Sequence, residues 1–574
     1  MRLDEVRRLT GASVLLPTCG AAGELIIDDP ASVGVATALW RRFAGRLMGA
    51  AGWGDERVVV RPHPAGASVA VGAPPDVLFA ATEIVEGAFE LAAATMAGER
   101  PPDFADLADR VRRSIGEDRN HPYLALLDAA RLRGLSVLAG EDSVSLGLGK
   151  GAVVYPAREL PDPGGVDWSA VRDIPVGLVS GTNGKTTTVR LTAAIAAAAG
   201  RAVGLTSSDW VEVAGERVAE GDFSGPSGAR LVLRDRRVDL AVLEIARGGL
   251  MRRGLPLTQA DACVITNVAA DHLGEYGIDD LDSLAEVKFV LAGAVKSTGH
   301  LILNADDPHL ARRAGTVDHD IIWFTLEPGG ERLAPWRRAG GTACFVDRDG
   351  RFVLAEGDIE TPVVSVADCP LTHGGRARAN VANGLAAIGL SAALGLPLRA
   401  MAEGLRRFDS DANANPGRTN LIDVGGLKVL IDFAHNPHGL RALLDFSQGL
   451  PHRRWLILLG QAGDRRDEDI RELTRVAWEA GPDRVIVKEM RSVLRGRAEG
   501  EVPALIRAEL ERLGAPDTAI GHTGSEVDAV RQALRWAKPG DLLVLLLHVA
   551  RKPVLALLDQ LRDSGWQAGE PLPE

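Results

Sequence analysis

The sequence predicts an α/β protein of three units: an N-terminal α+β unit (1–155), a central α/β unit with a mostly parallel sheet (171–410) and a C-terminal α/β unit (411–574). Three observations predict it. A chain of 574 residues corresponds to about three or four domains at roughly 150 residues each. Short, near-continuous apolar runs alternate with helical patterns, as strands buried on both faces of a parallel sheet require. One such run opens directly into a glycine turn and a helix, GTNGKTTT (Gly181–Thr188).

Composition narrows the class. Hydrophobic residues are 46% and charged residues 25%, which supports several cores and excludes a largely disordered chain. The net charge is −12, against a global attraction to nucleic acid or an anionic membrane. Cys19, Cys263, Cys344 and Cys369 form no CxxC pair and read as free thiols. No apolar run approaches the ~20 residues of a bilayer span. The N-terminus carries Asp4 and Glu5 before a brief apolar run, unlike a signal peptide. The expectation is a cytoplasmic protein.

In the first unit, Arg57–Pro62 and Ser68–Val71 read as strands and Ala80–Ala94 as a helix. Residues 156–170, with three prolines and paired glycines, read as a linker. The central unit opens with the strand Pro175–Ser180, the glycine turn, and a helix to about Ala199. Val238–Ala246, Ala262–Ala269 and His300–Ala305 follow as strands. The third unit repeats the style with Leu427–Ala434, Arg454–Gly460, Arg484–Glu489 and Asp541–Leu547, so it reads as Rossmann-like.

The glycine turn has phosphate chemistry. Gly181 and Gly184 let backbone N–H groups approach phosphate oxygens, and the helix N-terminus adds its dipole. Lys185 supplies a point charge and Thr186 a hydroxyl for Mg²⁺. Val179 stands where the longer phosphate-loop pattern has its first glycine, so this is a shorter GTNGKT form. Glu244 ends a strand, where a carboxylate faces the ligand crevice and suits Mg²⁺. Asp271 and His272 follow another strand. For His272 a metal-ligand role and a structural role both stand. Lys288 lies in the helical stretch Leu281–Ala294, where a lone lysine is ordinarily a solvated charge.

GTNGKTTT, TNVAADHL with Lys288 downstream, LNADDP (Leu303–Pro308) and DFAHNP (Asp432–Pro437) preceded by NPGR (Asn415–Arg418) resemble, in that order, the motifs of the Mur ligase family. These are ATP-dependent ligases that join an amino acid to a carboxylate through an acyl phosphate. The resemblance is closer to the Mur-like module of cyanophycin synthetases, through LEIARGGLMRRGL (Leu243–Leu255), PLTHGGRARANVANGLAA (Pro370–Ala387) and GDRRDEDIREL (Gly463–Leu473). It covers essentially all of 171–550, and more weakly the first 150 residues. Those enzymes place an ATP-grasp module between the two parts. Here only about twenty residues separate Ala129–Gly151, which looks like the join into that module, from the strand before the glycine turn.

The resemblance implies roles. Gly181, Thr182, Asn183, Gly184, Lys185, Thr186 and Thr187 bind ATP phosphates, with Mg²⁺ held by Thr186, Glu244 and His272. Lys185, His272 and Lys288 are the catalytic candidates, and Lys288 matches a lysine carbamylated in several family members. Asn304, Arg418 and Asp432 match nucleotide contacts, and His435 lies at the same seam. The implied reaction is an ATP-dependent amide ligation: an amino acid, arginine among the candidates, onto a peptide-like or carboxylate acceptor. A Mur-type ligase for a cofactor or polyglutamate tail is the alternative. A non-catalytic nucleotide-binding subunit of a partner ATP-grasp enzyme is the alternative of another class. A homo-oligomer is compatible with the resemblance. Two readings of the charged runs stand. Arg247, Arg252, Arg253, Arg465, Arg466, Arg495 and Arg497 suit a carboxylate acceptor, or are surface charges. Asp464, Asp467 and Glu468 suit a cationic amine.

Overall fold

The computed structural model describes residues 1–330 and 332–573. The N-terminal sheet has β1 (Arg2–Leu9), β2 (Gly20–Ile26), β3 (Val58–His63) and β4 (Gly66–Gly72), in the order β1-β2-β4-β3. Helices Val33–Ala50 and Leu78–Ala97 cover it, and Trp40, Leu47, Ile84 and Leu91 fill the core between. The helix expected over Ala80–Ala94 thus runs longer at both ends. A small antiparallel sheet follows: β5 (Val137–Ala139), β6 (Ser143–Leu146) and β7 (Val153–Pro156). The proline-rich segment after it is packed down, because Val166 and Val171 join Leu126 and Leu146 in one apolar cluster.

The central sheet has eleven strands. They are β8 (Val176–Ser180), β9 (Val203–Thr206), β10 (Trp210–Val213), β11 (Glu216–Glu220), β12 (Leu240–Glu244), β13 (Ala260–Ile265), β14 (Val295–Asn304), β15 (Asp320–Phe324), β16 (Thr342–Val346), β17 (Arg351–Glu356) and β18 (Ile359–Ser365). Their order is β11-β10-β9-β12-β8-β13-β14-β15-β16-β17-β18. From β9 to β16 all neighbours are parallel, and an antiparallel hairpin extends each end. Helices Lys185–Ala198, Arg378–Ala393 and Leu398–Arg407 pack on one face around Leu191, Ile195 and Leu385. A second apolar cluster with Leu178, Leu243 and Ile265 fills the other face. Burial on both faces is why these strands read as continuous apolar runs. The order β12-β8-β13-β14 brings four strand C-termini side by side, and each carries a site motif.

The C-terminal sheet runs β19-β20-β24-β21-β22-β23, from β19 (Asn420–Val424), β20 (Leu427–Asp432), β21 (Trp455–Leu459), β22 (Arg484–Lys488), β23 (Ile520–Thr523) and β24 (Leu542–Leu546). Only β19 is antiparallel to its neighbour. The N-terminal unit is joined to the central one by main-chain hydrogen bonds, Thr10 N–H to Arg253 O at 2.8 Å and Leu255 N–H to Ala12 O at 2.7 Å. The approach demands glycine: a Cβ on Gly254, whose φ is +80°, would lie 2.2 Å from Gly11 O. Among the described residues no helix is long and apolar enough to cross a membrane.

Candidate active site

The glycine turn lies between β8 and the helix Lys185–Ala198. Gly181 and Gly184 have φ of +141° and +87°, and Cβ atoms there would meet Thr266 Oγ1 at 1.8 Å and Asn383 Oδ1 at 2.2 Å. The next strand braces the turn. Asn183 N–H donates to Asn267 Oδ1 at 3.0 Å, and Thr266 Oγ1 donates to Asn183 O at 2.6 Å. Thr182 N–H donates to Asn267 O at 2.9 Å. Lys185 folds back over the turn, its ammonium donating to Gly181 O at 3.1 Å and Thr182 O at 3.0 Å. The turn is therefore a preformed cradle with a cation at its lip.

Thr186 Oγ1 donates to Glu244 Oε2 at 2.9 Å, and Ser208 N–H donates to the same oxygen at 3.2 Å. Glu244 is 2% exposed. Burial pushes its carboxyl above the usual range, against the pull of Lys185. A buried carboxylate beside a hydroxyl and a phosphate cradle is a donor set that fits a divalent cation.

His272 has contacts of its own. Its Nδ1 is 2.8 Å from Arg465 Nη1 and 3.3 Å from Glu275 Oε1. The ligand atoms of His272, Glu275 and Asp464 lie within 4.8 Å of one another. The structure thus gathers Thr186 with Glu244, and groups His272 with Glu275 and with Asp464 and Arg465 of the C-terminal unit. Asp271 links the same seam, with its carboxylate 3.3 Å from Arg465 and 3.5 Å from His435 Nε2. Burial opposes its charge, yet His435, Arg465 and His272 hold it well below the usual carboxylate range.

Lys288 is 3% exposed, not a solvated charge. Burial first, then the nearby Lys185, push its amine down to about 7, while Asp271 opposes. Asn304 ends β14 and donates to Thr266 O at 3.1 Å. Beside it an open cleft is lined by Asp306, Thr325 and Glu327.

The C-terminal unit closes the other side. Asn183 and Asn436 exchange side-chain amide hydrogen bonds of 3.1 and 2.9 Å. Arg418 lies over the Phe433 ring at 4.7 Å and donates to Ser208 Oγ at 3.4 Å. Asp432 accepts from Thr419 N–H at 2.7 Å and Ala434 N–H at 2.7 Å, so it shapes the loop that presents Arg418. Asn415 donates to Thr187 Oγ1 at 3.2 Å and accepts from Arg190 at 3.1 Å. Sequence reasoning does not single out Thr266, Asn267, Ser208, Asn415 or Asn436. Four of them lie inside motif strings, and that is the one signal that could have found them. Of the charged runs, Arg247, Arg465 and Arg495 reach the seam. Arg466 and Arg497 instead pair with Asp469 and Asp467 of their own unit.

Comparison with known proteins gives two domains in sequence. Residues 179–390 match the Mur ligase middle domain, and residues 417–546 match the Mur ligase, glutamate ligase domain. Cyanophycin synthetase of Synechocystis is 41% identical over 390 residues, covering 66% of this chain and 44% of that one. The enzyme of that name from Crocosphaera subtropica is 40% identical over 333 residues, 58% of this chain and 38% of that one. The chain therefore matches less than half the length of these relatives. A UDP-N-acetylmuramoyl-L-alanyl-D-glutamate–2,6-diaminopimelate ligase of Gloeobacter violaceus is 28% identical, covering 65% of this chain and 72% of that one. Among solved structures, E. coli FolC in complex with ADP superposes with a TM-score of 0.49 at 23% identity, over 68% of this chain and 90% of that one. Over its central and C-terminal units the chain belongs to the Mur ligase family.

Proposed function

We propose that the protein uses ATP to activate an acceptor carboxylate as an acyl phosphate and joins it to an amino-acid amine. The observation that carries this reading is the glycine cradle with Lys185 at its lip and the buried Thr186–Glu244 pair behind it. The carboxylate oxygen attacks the γ-phosphorus, the bond to the β-phosphate oxygen breaks, and ADP leaves. The amine then attacks the acyl carbon, phosphate leaves with its oxygen, and the amine loses a proton.

The chain's own residues supply the binding and the electrostatics. Main-chain N–H groups of Gly181–Lys185 and the Lys185 ammonium offset the charge of the transferring phosphoryl group. Thr186 and Glu244 would hold Mg²⁺, which when bound neutralises phosphate charge. Arg418, from the C-terminal side, lies beside Ser208 and would add a guanidinium charge toward the phosphates. The seam of Asp271, His272, Glu275, Asp464 and Arg465 offers both carboxylates and guanidinium, a pattern suited to a zwitterionic amino acid. Closure of the two units excludes water, which would otherwise hydrolyse the acyl phosphate.

Arginine as the incoming amino acid and an acidic peptide as the acceptor are the finer reading, supported by 37–41% identity to cyanophycin synthetases. The internal absence of an ATP-grasp module points to a separate enzyme as supplier of the acceptor. ADP release across a panel of amino acids and acceptors tests the reaction. Turnover dependent on both substrates and abolished in Lys185→Ala supports it. Equal ADP release by Lys185→Ala and wild type overturns it.

A further inference from the structure

The turn between β9 and β10 carries two adjacent residues that face different parts of the molecule. Ser208 faces the phosphate site. Its N–H donates to Glu244 and its hydroxyl is 3.2 Å from Thr186 Oγ1. Asp209 faces the C-terminal unit. Its carboxylate, 10% exposed, receives three guanidinium groups from three separate places in the chain. Arg190, on the helix of the glycine turn, donates to Oδ2 at 2.7 Å. Arg551, which begins the helix Arg551–Asp563 of the C-terminal unit, donates to Oδ1 at 2.6 Å. Arg418, on the segment joining the two units, approaches Oδ2 at 3.8 Å.

Three guanidinium groups from distant parts of the chain meet at one carboxylate. Asp209 is the carboxylate on which all three guanidinium groups converge, while Asp432 and Glu244 also act on Arg418. Arg190 is 3% exposed, stacks on the Trp210 ring at 3.6 Å, and is brought down to about 10 by burial and by repulsion from Arg418. Burial opposes the charge of Asp209, but Arg418, Arg190 and Arg551 draw it down to about 2. Arg418 Nη2 is shared between Asp209 and the phosphate side of the turn. Arg418 touches Ser208 Oγ, which itself touches Thr186. The guanidinium thus lies two contacts from Thr186, in the first turn of the helix that follows the glycine cradle.

We propose that Asp209 is a positioning residue, which holds Arg418 over the triphosphate and ties that placement to the C-terminal unit through Arg551. This rests on the ATP reading above and adds a residue to it. Asp209 would link an occupied phosphate site to closure of the cleft. Two flanking contacts strengthen the same junction: Arg217 of the β10–β11 hairpin donates to Asn413 O at 2.6 Å, and Lys552 pairs with Glu220 at 2.6 Å. The hairpin at this end of the sheet is thus an arm that grips both the connecting segment and the C-terminal unit.

Binding of AMPPNP and of AMP, each with Mg²⁺, tests this by calorimetry on the full chain. AMP lacks the phosphates that Arg418 would meet, so it reports whether the rest of the nucleotide pocket is intact. Asp209→Asn is expected to weaken AMPPNP at least tenfold and leave AMP within threefold of wild type. Arg551→Gln, which lies outside the pocket, is expected to do the same to a smaller degree, and it replaces Asp209→Asn should that variant not fold. Both variants are expected to show a larger radius of gyration than wild type in solution scattering. Unchanged AMPPNP affinity, or parallel loss of AMPPNP and AMP, overturns the proposal. The ATP reading fails separately, on a wild type that binds no AMPPNP. In that case scattering alone decides, and an equal radius for wild type and variants overturns the tie through Asp209 and Arg551.

Discussion

Thr186 donates its hydroxyl to Glu244 at 2.9 Å, across 58 residues of sequence, and the bond joins the first turn of the helix after β8 to the end of the adjacent strand β12. The carboxylate is buried, and burial raises its pKa above the ordinary glutamate value. Its charge therefore costs folding free energy above that raised pKa, and the cost vanishes below the unfolded value. Glu244→Gln removes the charge and keeps the shape. Thermal unfolding of the metal-free protein at pH 7.5 should be unchanged or higher for the variant. ADP formation should fall by roughly 10²–10³, the scale of losing one key electrostatic group. A variant that keeps a third of wild-type turnover would remove Glu244 from the reaction.

Lys288 responds to pH within a defined window. Its pKa in the fold is about 7, down from 10.5. Between these values the unfolded chain binds the proton and the folded one does not, so stability rises with pH across the window. The penalty is fully present below pH 7 and is gone by about pH 10.5. Lys288→Met should be more stable than wild type in urea unfolding at pH 6.5, with the gap narrowing steadily toward pH 10. A pH-independent gap contradicts a buried amine of lowered pKa. The same neutral amine is the form that takes up CO₂. Carbon-13 NMR with labelled bicarbonate should show a carbamate signal in wild type at pH 8 that Lys288→Arg lacks. No signal in wild type rules out the modification.

Elements whose cause is local are legible in the sequence. The strands β8, β12, β13, β20, β21, β22 and β24 are short apolar runs, and each falls within a few residues of where the pattern puts it. The glycine turn is legible because residue type and backbone geometry coincide within eight positions. β1 is not, since Arg2–Leu9 is a half-buried edge strand rich in charged residues, with a break in register between Asp4 and Arg7 and positive φ at Glu5. The hairpin ends of the central sheet also escape the pattern. Nor is Asp209 readable: its partner Arg551 is 342 residues away. No periodicity encodes such a pair. Lys288 misleads for the same reason, because a lysine on a short helix looks solvated until the packing around it is known.

Asn183 and Asn436 exchange amide hydrogen bonds across the cleft, so the phosphate turn touches the C-terminal unit directly. Asn436 also acts within its own unit, where its Oδ1 accepts from Gly439 N–H at 2.9 Å and caps the helix Pro437–Gln448. The two sides of the pair should therefore respond differently to truncation. Asn436→Ala loses the cap, at about 1 kcal/mol, as well as the contact. Asn183→Ala loses the contact alone and should keep the wild-type urea midpoint. Both should raise the KM for ATP. Equal destabilisation by the two substitutions would refute this division of roles.

A buried ion pair lies behind the cleft. Lys488 and Glu526 have side chains fully removed from solvent and are bonded to each other. Lys488 also donates to Leu546 O and lies 3.2 Å from His548 Nδ1. Glu526 accepts from the N–H groups of His548, Val549 and Ala550, so it sets the loop that delivers Arg551 to Asp209. Removing one member of such a pair leaves a buried charge without its partner, at about 3–5 kcal/mol. Lys488→Met should therefore lower the urea midpoint strongly. Replacing both, Lys488→Met with Glu526→Leu, removes both charges but leaves three N–H groups without their carboxylate acceptor. The double variant should recover only part of the loss. Full recovery would show that the three N–H groups find water instead, and that Glu526 matters only as the counter-charge of Lys488.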